Sequence, residues 1–179
     1  MRIISGTLKG KHLYAPKNLP VRPTTDMAKE SLFNILGNRF HFEELSVFDL
    51  FSGTGNIAFE FASRGAKDTL AVDSFPGCVK FISKTAGELG LPIRTLRSDV
   101  FKFLERTTEK ADVIFADPPY DFDQGKFLKI VEPVFERGLL KEQGLLVVEH
   151  DSKTDLSSHP KFTELRKYGG SRFSFFTPD

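Results

Sequence analysis

Tryptophan is absent from this chain of 179 residues, methionine occurs twice and cysteine once. The single cysteine, Cys78, excludes an intramolecular disulfide and suits a reducing compartment. No Cys/His cluster has metal-ligand spacing, so no zinc centre and no other metal is expected. No apolar run approaches the roughly 18 residues of a membrane span, and no signal-peptide pattern opens the chain. A cytoplasmic protein with no membrane partner is therefore expected. Internal repeats and low-complexity segments are also missing.

Acidic residues are missing locally. Through Pro23 the chain carries Arg2, Lys9, Lys11, Lys17 and Arg22 and no carboxylate, leaving 20 basic residues against 24 acidic ones in the remainder. A basic arm on a mildly acidic body suits contact with a polyanion. The competing reading is a solvated hairpin whose lysines keep an edge strand soluble. With 40% hydrophobic residues, 19 of the chain being Phe, there is enough apolar mass for one Phe-rich core. A monomer is expected.

Two β-prone stretches, Arg2–Ser5 and Lys11–Ala15, flank a Gly6–Gly10 turn and predict a small hairpin. Asn18–Pro23 reads as an extended linker. Residues 1–23 are thus set apart from a domain covering 24–179. Thr24-Thr25-Asp26 supplies cap chemistry for a helix with Ala28, Leu32, Ile35 and Leu36 on its apolar face, ended by Gly37. Strands are then expected at Ser46–Leu50, Thr69–Val72, Ile93–Leu96, Val113–Ala116 and Leu145–Glu149, with helices near 56–64, 76–89, 100–107 and 124–137. That alternation predicts an α/β fold with a parallel sheet covered on both faces. After His150 the rhythm breaks. Phe162–Tyr168 and Ser171–Thr177, joined at Gly169-Gly170, predict an antiparallel hairpin at one edge, completing a mostly parallel seven-stranded sheet.

The most informative stretch is Asp117-Pro118-Pro119-Tyr120, at the C-terminal end of an apolar strand, where open α/β sheets bind ligands. The prolines present rigid carbonyls, the aspartate accepts hydrogen bonds, and the tyrosine offers a stacking face. Together these groups suit a planar base held by its exocyclic amine. An ordinary strand-end turn is the bland alternative. Asp49-Leu50-Phe51-Ser52-Gly53-Thr54-Gly55 follows the first main strand and opens a helix; its glycines permit close approach to a ligand. Asp73 ends the next strand, where an acid can hold ribose hydroxyls. Gly53-x-Gly55-x-x-Ala58 also satisfies the looser dinucleotide fingerprint, so a nicotinamide cofactor stays open at this point. Asp49, placed at the start of the loop, suits a cationic amino group better than a pyrophosphate. Asp99, after Ser98, is placed to accept from an adenine amine or to cap the following helix. His150 is expected to be structural.

These residues resemble the class I, Rossmann-like S-adenosylmethionine-dependent methyltransferases, and more narrowly the RsmD-like rRNA guanine-N2 methyltransferases. The narrower resemblance runs through Arg2–Gly6, Lys9–Lys11, Arg22–Asp26, Glu30–Leu36, Asp49–Gly55, Ser63–Ala66 and Asp117–Tyr120. It implies S-adenosylmethionine as cofactor, with Asp49, Phe51, Ser52, Gly53, Gly55, Asp73 and Asp99 around it. It implies a catalytic group of Asp117, Pro118 and Tyr120, and contacts from the basic arm to 16S rRNA in the small ribosomal subunit. The implied target is the N2 amine of guanine 966. The four-residue motif is shared with amino-directed DNA methyltransferases, and a noncatalytic RNA-binding protein on this fold is the competitor from another class. Two positions depart from the family pattern. Met27 replaces a usual arginine, and Phe75 replaces a usual acid near the adenosine.

Overall fold

Ser46–Leu50 is buried at all its positions, as a strand covered on both faces must be, and forms β1. The computed structural model describes residues 1–22 and 24–179; Pro23, within the linker and the Arg22–Asp26 motif, lies outside the described residues. After a first helix α1 (Asp26–Arg39), strands and helices alternate: β1, α2 (Asn56–Ser63), β2 (Asp68–Asp73), α3 (Pro76–Leu89), β3 (Ile93–Arg97), α4 (Val100–Arg106), β4 (Ala111–Ala116), α5 (Gln124–Glu136) and β5 (Leu140–His150). The chain closes with β6 (Phe162–Tyr168) and β7 (Ser171–Phe176). The sheet order is β3-β2-β1-β4-β5-β7-β6, parallel from β3 to β5 and antiparallel at β7 and β6. The expected seven-stranded sheet with an antiparallel C-terminal edge is therefore observed. Among the described residues no helix is long and apolar enough to cross a membrane.

Each sheet face buries its own cluster. One joins Phe48, Leu50, Leu70, Ile114 and Leu146 to α4 and α5; the other joins Val47, Val113, Phe115 and Val147 to α1 and α2. Thr25 caps α1 by accepting from the Ala28 N–H at 3.2 Å. Gly37 does not end this helix. It stays helical, and the turn to extended backbone comes at Phe40, whose N–H still donates to the Leu36 carbonyl at 2.8 Å. A glycine terminates a helix by entering positive φ, and Gly37 does not do so.

The predicted N-terminal hairpin forms as a short antiparallel pairing around the Arg2–His12 bridge: the Ile3 N–H donates to the Lys11 carbonyl at 2.9 Å, Gly10 to Ile3 at 2.8 Å and Leu13 to Met1 at 2.8 Å, while the N-terminal ammonium donates to the Leu13 carbonyl at 3.0 Å. The backbone donors nearer the turn are used elsewhere. Ile4 and Ser5 donate to the Glu60 carboxylate at 2.9 and 3.1 Å, Thr7 to the Ser63 carbonyl at 2.8 Å, and Leu8 to the Ser63 hydroxyl at 3.0 Å. Gly6, at φ 91°, lies so close to α2 that a Cβ there would stand 1.9 Å from the Ser63 carbonyl oxygen. Ile3 and Leu13 are buried against Ala58, Phe59, Ala71 and Ile82. Docking on α2 thus takes the hydrogen bonds that a longer hairpin ladder would need.

Candidate functional site

Register places the site. Leu50 pairs with Val72 on one side and Ala116 on the other, and Ala116 pairs with Val148. The following residues, Phe51, Asp73, Asp117 and Glu149, therefore line up along the C-terminal edge of the sheet. Strand order reverses direction between β1 and β4, which is where open α/β sheets form their ligand crevice. A cavity of about 400 Å³ opens there, bounded by the glycine loop, Asp73, Phe75, Arg22 and Asp117–Tyr120. That volume is in the range of sites that enclose a small cofactor.

The loop after β1 is built to keep its backbone close to whatever fills the cavity. Phe51 takes φ 56° despite its side chain, and Gly53 and Gly55 take 56° and 84°. A non-glycine residue in that region carries strain, held here by the packing of Phe51 edge-on to Phe101 and Phe122. A Cβ at Gly55 would stand 2.9 Å from Ile82 and 3.0 Å from Phe59, so only glycine fits. Asp73 accepts from the Gly53 N–H at 2.8 Å and the Phe75 N–H at 2.9 Å, one on each oxygen, which leaves each oxygen a further lone pair. The Ser52 hydroxyl is buried and has no hydrogen-bond partner. An orphaned polar atom in a ligand-sized crevice fits a bound polar group.

Asp49 lies inside β1 rather than in the loop. It is buried, and its Oδ2 accepts from the Ala58 N–H at 3.0 Å, tying the sheet to the first turn of α2. Burial pushes its pKa up to about 8; the Ala58 hydrogen bond opposes this and the nearby Asp73 charge adds to it. Asp117 is raised as well, by burial first and then by the charge of Glu149, while Arg22 pulls it down. Glu149 is raised by burial, against hydrogen bonds from the Thr24 hydroxyl at 3.0 Å and the Ser171 hydroxyl at 3.0 Å. Because side chains alternate along strands, Asp49, Asp117 and Glu149 project from the same sheet face. Three acids thus crowd beneath one crevice.

This crowding has a measurable consequence for stability. A carboxyl group with a raised native pKa keeps a proton that the unfolded chain has released, so stability falls as pH rises between about 4 and about 8. The melting temperature of the ligand-free protein is expected to drop from pH 6 to pH 8.5, and Asp49→Asn is expected to shrink that drop. An equal slope in both proteins, followed by calorimetry, would contradict the burial argument.

Of the other residues read from the sequence, Pro118 and Tyr120 line the crevice, and Tyr120 is 52% exposed. Phe75 lines it too, presenting a ring where the resemblance expects an acid. Asp99 lies outside it: it is exposed, and its Oδ1 caps α4 by accepting from the Lys102 N–H at 3.0 Å. In the basic arm, Arg2 is paired with Asp26 at 3.2 Å, and the Arg22 guanidinium lies 3.0 Å above the centre of the Tyr120 ring. Lys9, Lys11 and Lys17 are exposed. His150 is buried below the sheet edge with both ring nitrogens engaged, on the Asp151 carbonyl at 2.8 Å and the Ser174 hydroxyl at 2.7 Å. Sequence reasoning missed Glu149 as a site residue, although it ends its strand in register with Asp117.

A family model described as conserved hypothetical protein 95 matches residues 1–177. The Bacillus subtilis protein YlbH is 33% identical over 161 residues, covering 87% of this chain and 85% of that protein. Ribosomal RNA small subunit methyltransferase D of Escherichia coli is 27% identical over 161 residues, covering 89% and 79%. Among solved structures, the hypothetical protein TTHA0928 of Thermus thermophilus superposes with a TM-score of 0.84 at 27% identity, covering 98% of both chains. A 16S rRNA N2 G1207 methyltransferase of T. thermophilus, solved with AdoMet and guanosine, shares the fold at a TM-score of 0.69 and 22% identity, over 88% of this chain and 44% of that one.

Proposed function

Because the chain belongs to the conserved hypothetical protein 95 family, that of the RsmD-like methyltransferases, we propose that it transfers a methyl group from S-adenosylmethionine to the N2 amine of a guanine in small-subunit rRNA. One observation carries the reading: the Asp117–Tyr120 motif and the glycine loop open side by side into one crevice, the Asp117 N–H lying 3.4 Å from the Leu50 carbonyl. Relatives named as small-subunit rRNA methyltransferases support rRNA as the acceptor class. A nicotinamide oxidoreductase leaves the proline motif without a task.

The donor half of the crevice is assigned to the loop. Asp73 offers its free lone pairs to ribose hydroxyls, and the orphaned Ser52 hydroxyl meets the polar end of the donor. A cationic amino group above Asp49 draws it into the ionised form that burial disfavours in the ligand-free protein, and the two charges then attract. For a donor that reaches past the crevice toward α4, Asp99 offers Oδ2 to the adenine amine, since Oδ1 is committed to the helix cap. When bound, S-adenosylmethionine supplies a sulfonium methyl, already activated for transfer.

The acceptor half belongs to Asp117, Pro118 and Tyr120. A guanine amine is a poor nucleophile because its lone pair is delocalised into the ring, and that nitrogen must pyramidalise to react. The Asp117 carboxylate and the Pro118 carbonyl accept its N–H groups and favour the positive charge that develops there. Tyr120 stacks on the base and holds its angle. Duplex RNA hides base edges, so the guanine has to be splayed out to enter. Lys9, Lys11 and Lys17, exposed on the docked arm, are placed to meet phosphates.

Mapping N2-methylated guanines in small-subunit rRNA from cells with and without this gene tests the reading. Loss of a methylated guanine that returns when purified protein and S-adenosylmethionine are added to the unmethylated subunit or its rRNA is the expected result. An unchanged map would refute it.

A further inference from the structure

One face of the Tyr120 ring is already covered. The Arg22 guanidinium lies 3.0 Å above the ring centroid, although Tyr120 is otherwise half-exposed and no other aromatic ring packs on it among the described residues. A guanidinium is planar and delocalised, so it occupies the space and the electrostatics of a stacked base. Arg22 also reaches the acids: its charge opposes the raised pKa of both Asp117 and Glu149. Those two side chains each follow the last paired residues of β4 and β5, Ala116 and Val148, at the crevice that Arg22 and Tyr120 border. Thr24, two residues on from Arg22, is anchored by its hydroxyl on Glu149. The segment bearing Arg22 is thus tethered at the acids while Arg22 itself is exposed.

We propose that Arg22 is a stand-in for the target base: it rests on Tyr120 in the free protein, is displaced when the base stacks there, and then meets the phosphate next to the displaced nucleotide. This rests on the guanine reading above and adds a residue that nothing in the four-residue motif supplies. The exchange is balanced in kind. One planar group replaces another on the ring, and the charge that Arg22 withdraws from the acids is offset by the amine hydrogens that the base presents to Asp117. The phosphate gives the released guanidinium a bidentate partner, which an exposed stack on tyrosine does not. Arg22 is therefore a positioning residue for base entry.

The test titrates guanosine into the full chain carrying ring-labelled tyrosine, followed by NMR. Only Tyr14, Tyr120 and Tyr168 contribute signals, and Tyr120→Phe assigns one of them. In the unaltered protein the Tyr120 ring signals should shift with guanosine. In Arg22→Ala they should shift at a concentration lower by roughly twofold to fivefold, the range expected when an exposed cation–π contact no longer competes. The same variant should need more rRNA for half-maximal binding, because the phosphate contact is lost; Arg22→Lys should restore much of that binding, with guanosine affinity between the other two proteins. An equal or weaker guanosine response in Arg22→Ala would overturn the exchange and make Arg22 a fixed contact of the base. Unmoved Tyr120 signals in both proteins would also overturn it, and methyl transfer to rRNA assayed in parallel then shows whether the guanine reading falls with it.

Discussion

Asp117→Ala is expected to lower single-turnover methyl transfer by on the order of 10²–10³-fold, the loss seen when one preorganised group facing developing charge is removed. Cofactor affinity should stay within about twofold, because Asp73 and the loop after β1 form the other half of the crevice. Asp117→Asn should be nearly as impaired, since an amide can turn a donor toward the amine. The pH profile gives a second measurement. Burial and the Glu149 charge raise the Asp117 pKa, and only its ionised form sets a negative charge against the positive charge that develops on the amine, so the rate should fall on acidification at a pH above the ordinary carboxylate range. Glu149→Gln removes the neighbouring charge and should move that fall to lower pH. Single-turnover rates near those of the unaltered protein in both Asp117 variants would remove this residue from the mechanism. Tyr120→Phe, by contrast, should remain active, because the assigned role uses the ring face.

The sheet was legible in the sequence because its signals are local. Strands such as Ser46–Leu50 and Phe162–Tyr168 are bounded by turn residues, and α3 runs from Pro76 to the positive-φ Gly90, the usual start and stop chemistry. Residues at strand ends were legible for the same reason: Asp73 and Asp117 follow apolar runs and stand at the crevice. What escaped depends on pairing across the fold. Glu149 follows an apolar run no differently from Asp117, but its role comes from lying in register beside it and from Thr24 and Ser171, distant in sequence. Arg22 counted as one more positive charge in a basic arm, and nothing local places it on a tyrosine nearly a hundred residues later. The hairpin stays short because Glu60 and Ser63, on a helix far along the chain, take the backbone donors of Ile4, Ser5 and Leu8. A local signal for that competition did exist: α2 reads Asn-Ile-Ala-Phe-Glu-Phe-Ala-Ser, with one charge in a helix that is otherwise uncharged.

That lone charge leads to the largest expected effect on stability. Glu60 is 0% exposed and Lys29 is 1% exposed, their charges 3.3 Å apart. The Lys29 ammonium also donates to the Asn56 side-chain oxygen at 2.8 Å and to the Arg2 carbonyl, while Glu60 takes Arg64 at 2.8 Å and the N–H groups of Ile4 and Ser5. Burial drives the Lys29 pKa down, and Glu60 opposes the shift. Glu60→Ala leaves a buried cation short of its counter-charge and two backbone donors unpaired, so a loss of roughly 3–5 kcal/mol in urea unfolding is expected. Replacing both partners, with Lys29→Met added to Glu60→Ala, should restore part of that loss, because the uncompensated cation is then gone. Amide exchange separates a local from a global effect: Ile4 and Ser5 should lose protection in both proteins, since their acceptor is missing in each. Exchange at those two amides unchanged by Glu60→Ala, or a double variant less stable than the single one, would contradict the Glu60 staple and leave the arm to Ser63 and the packing of Ile3 and Leu13. If the amides do open, the same carboxylate that staples the arm to α2 also fixes where Lys9 and Lys11 stand relative to the crevice. The buried ion pair then acts on RNA docking through position, without touching the RNA.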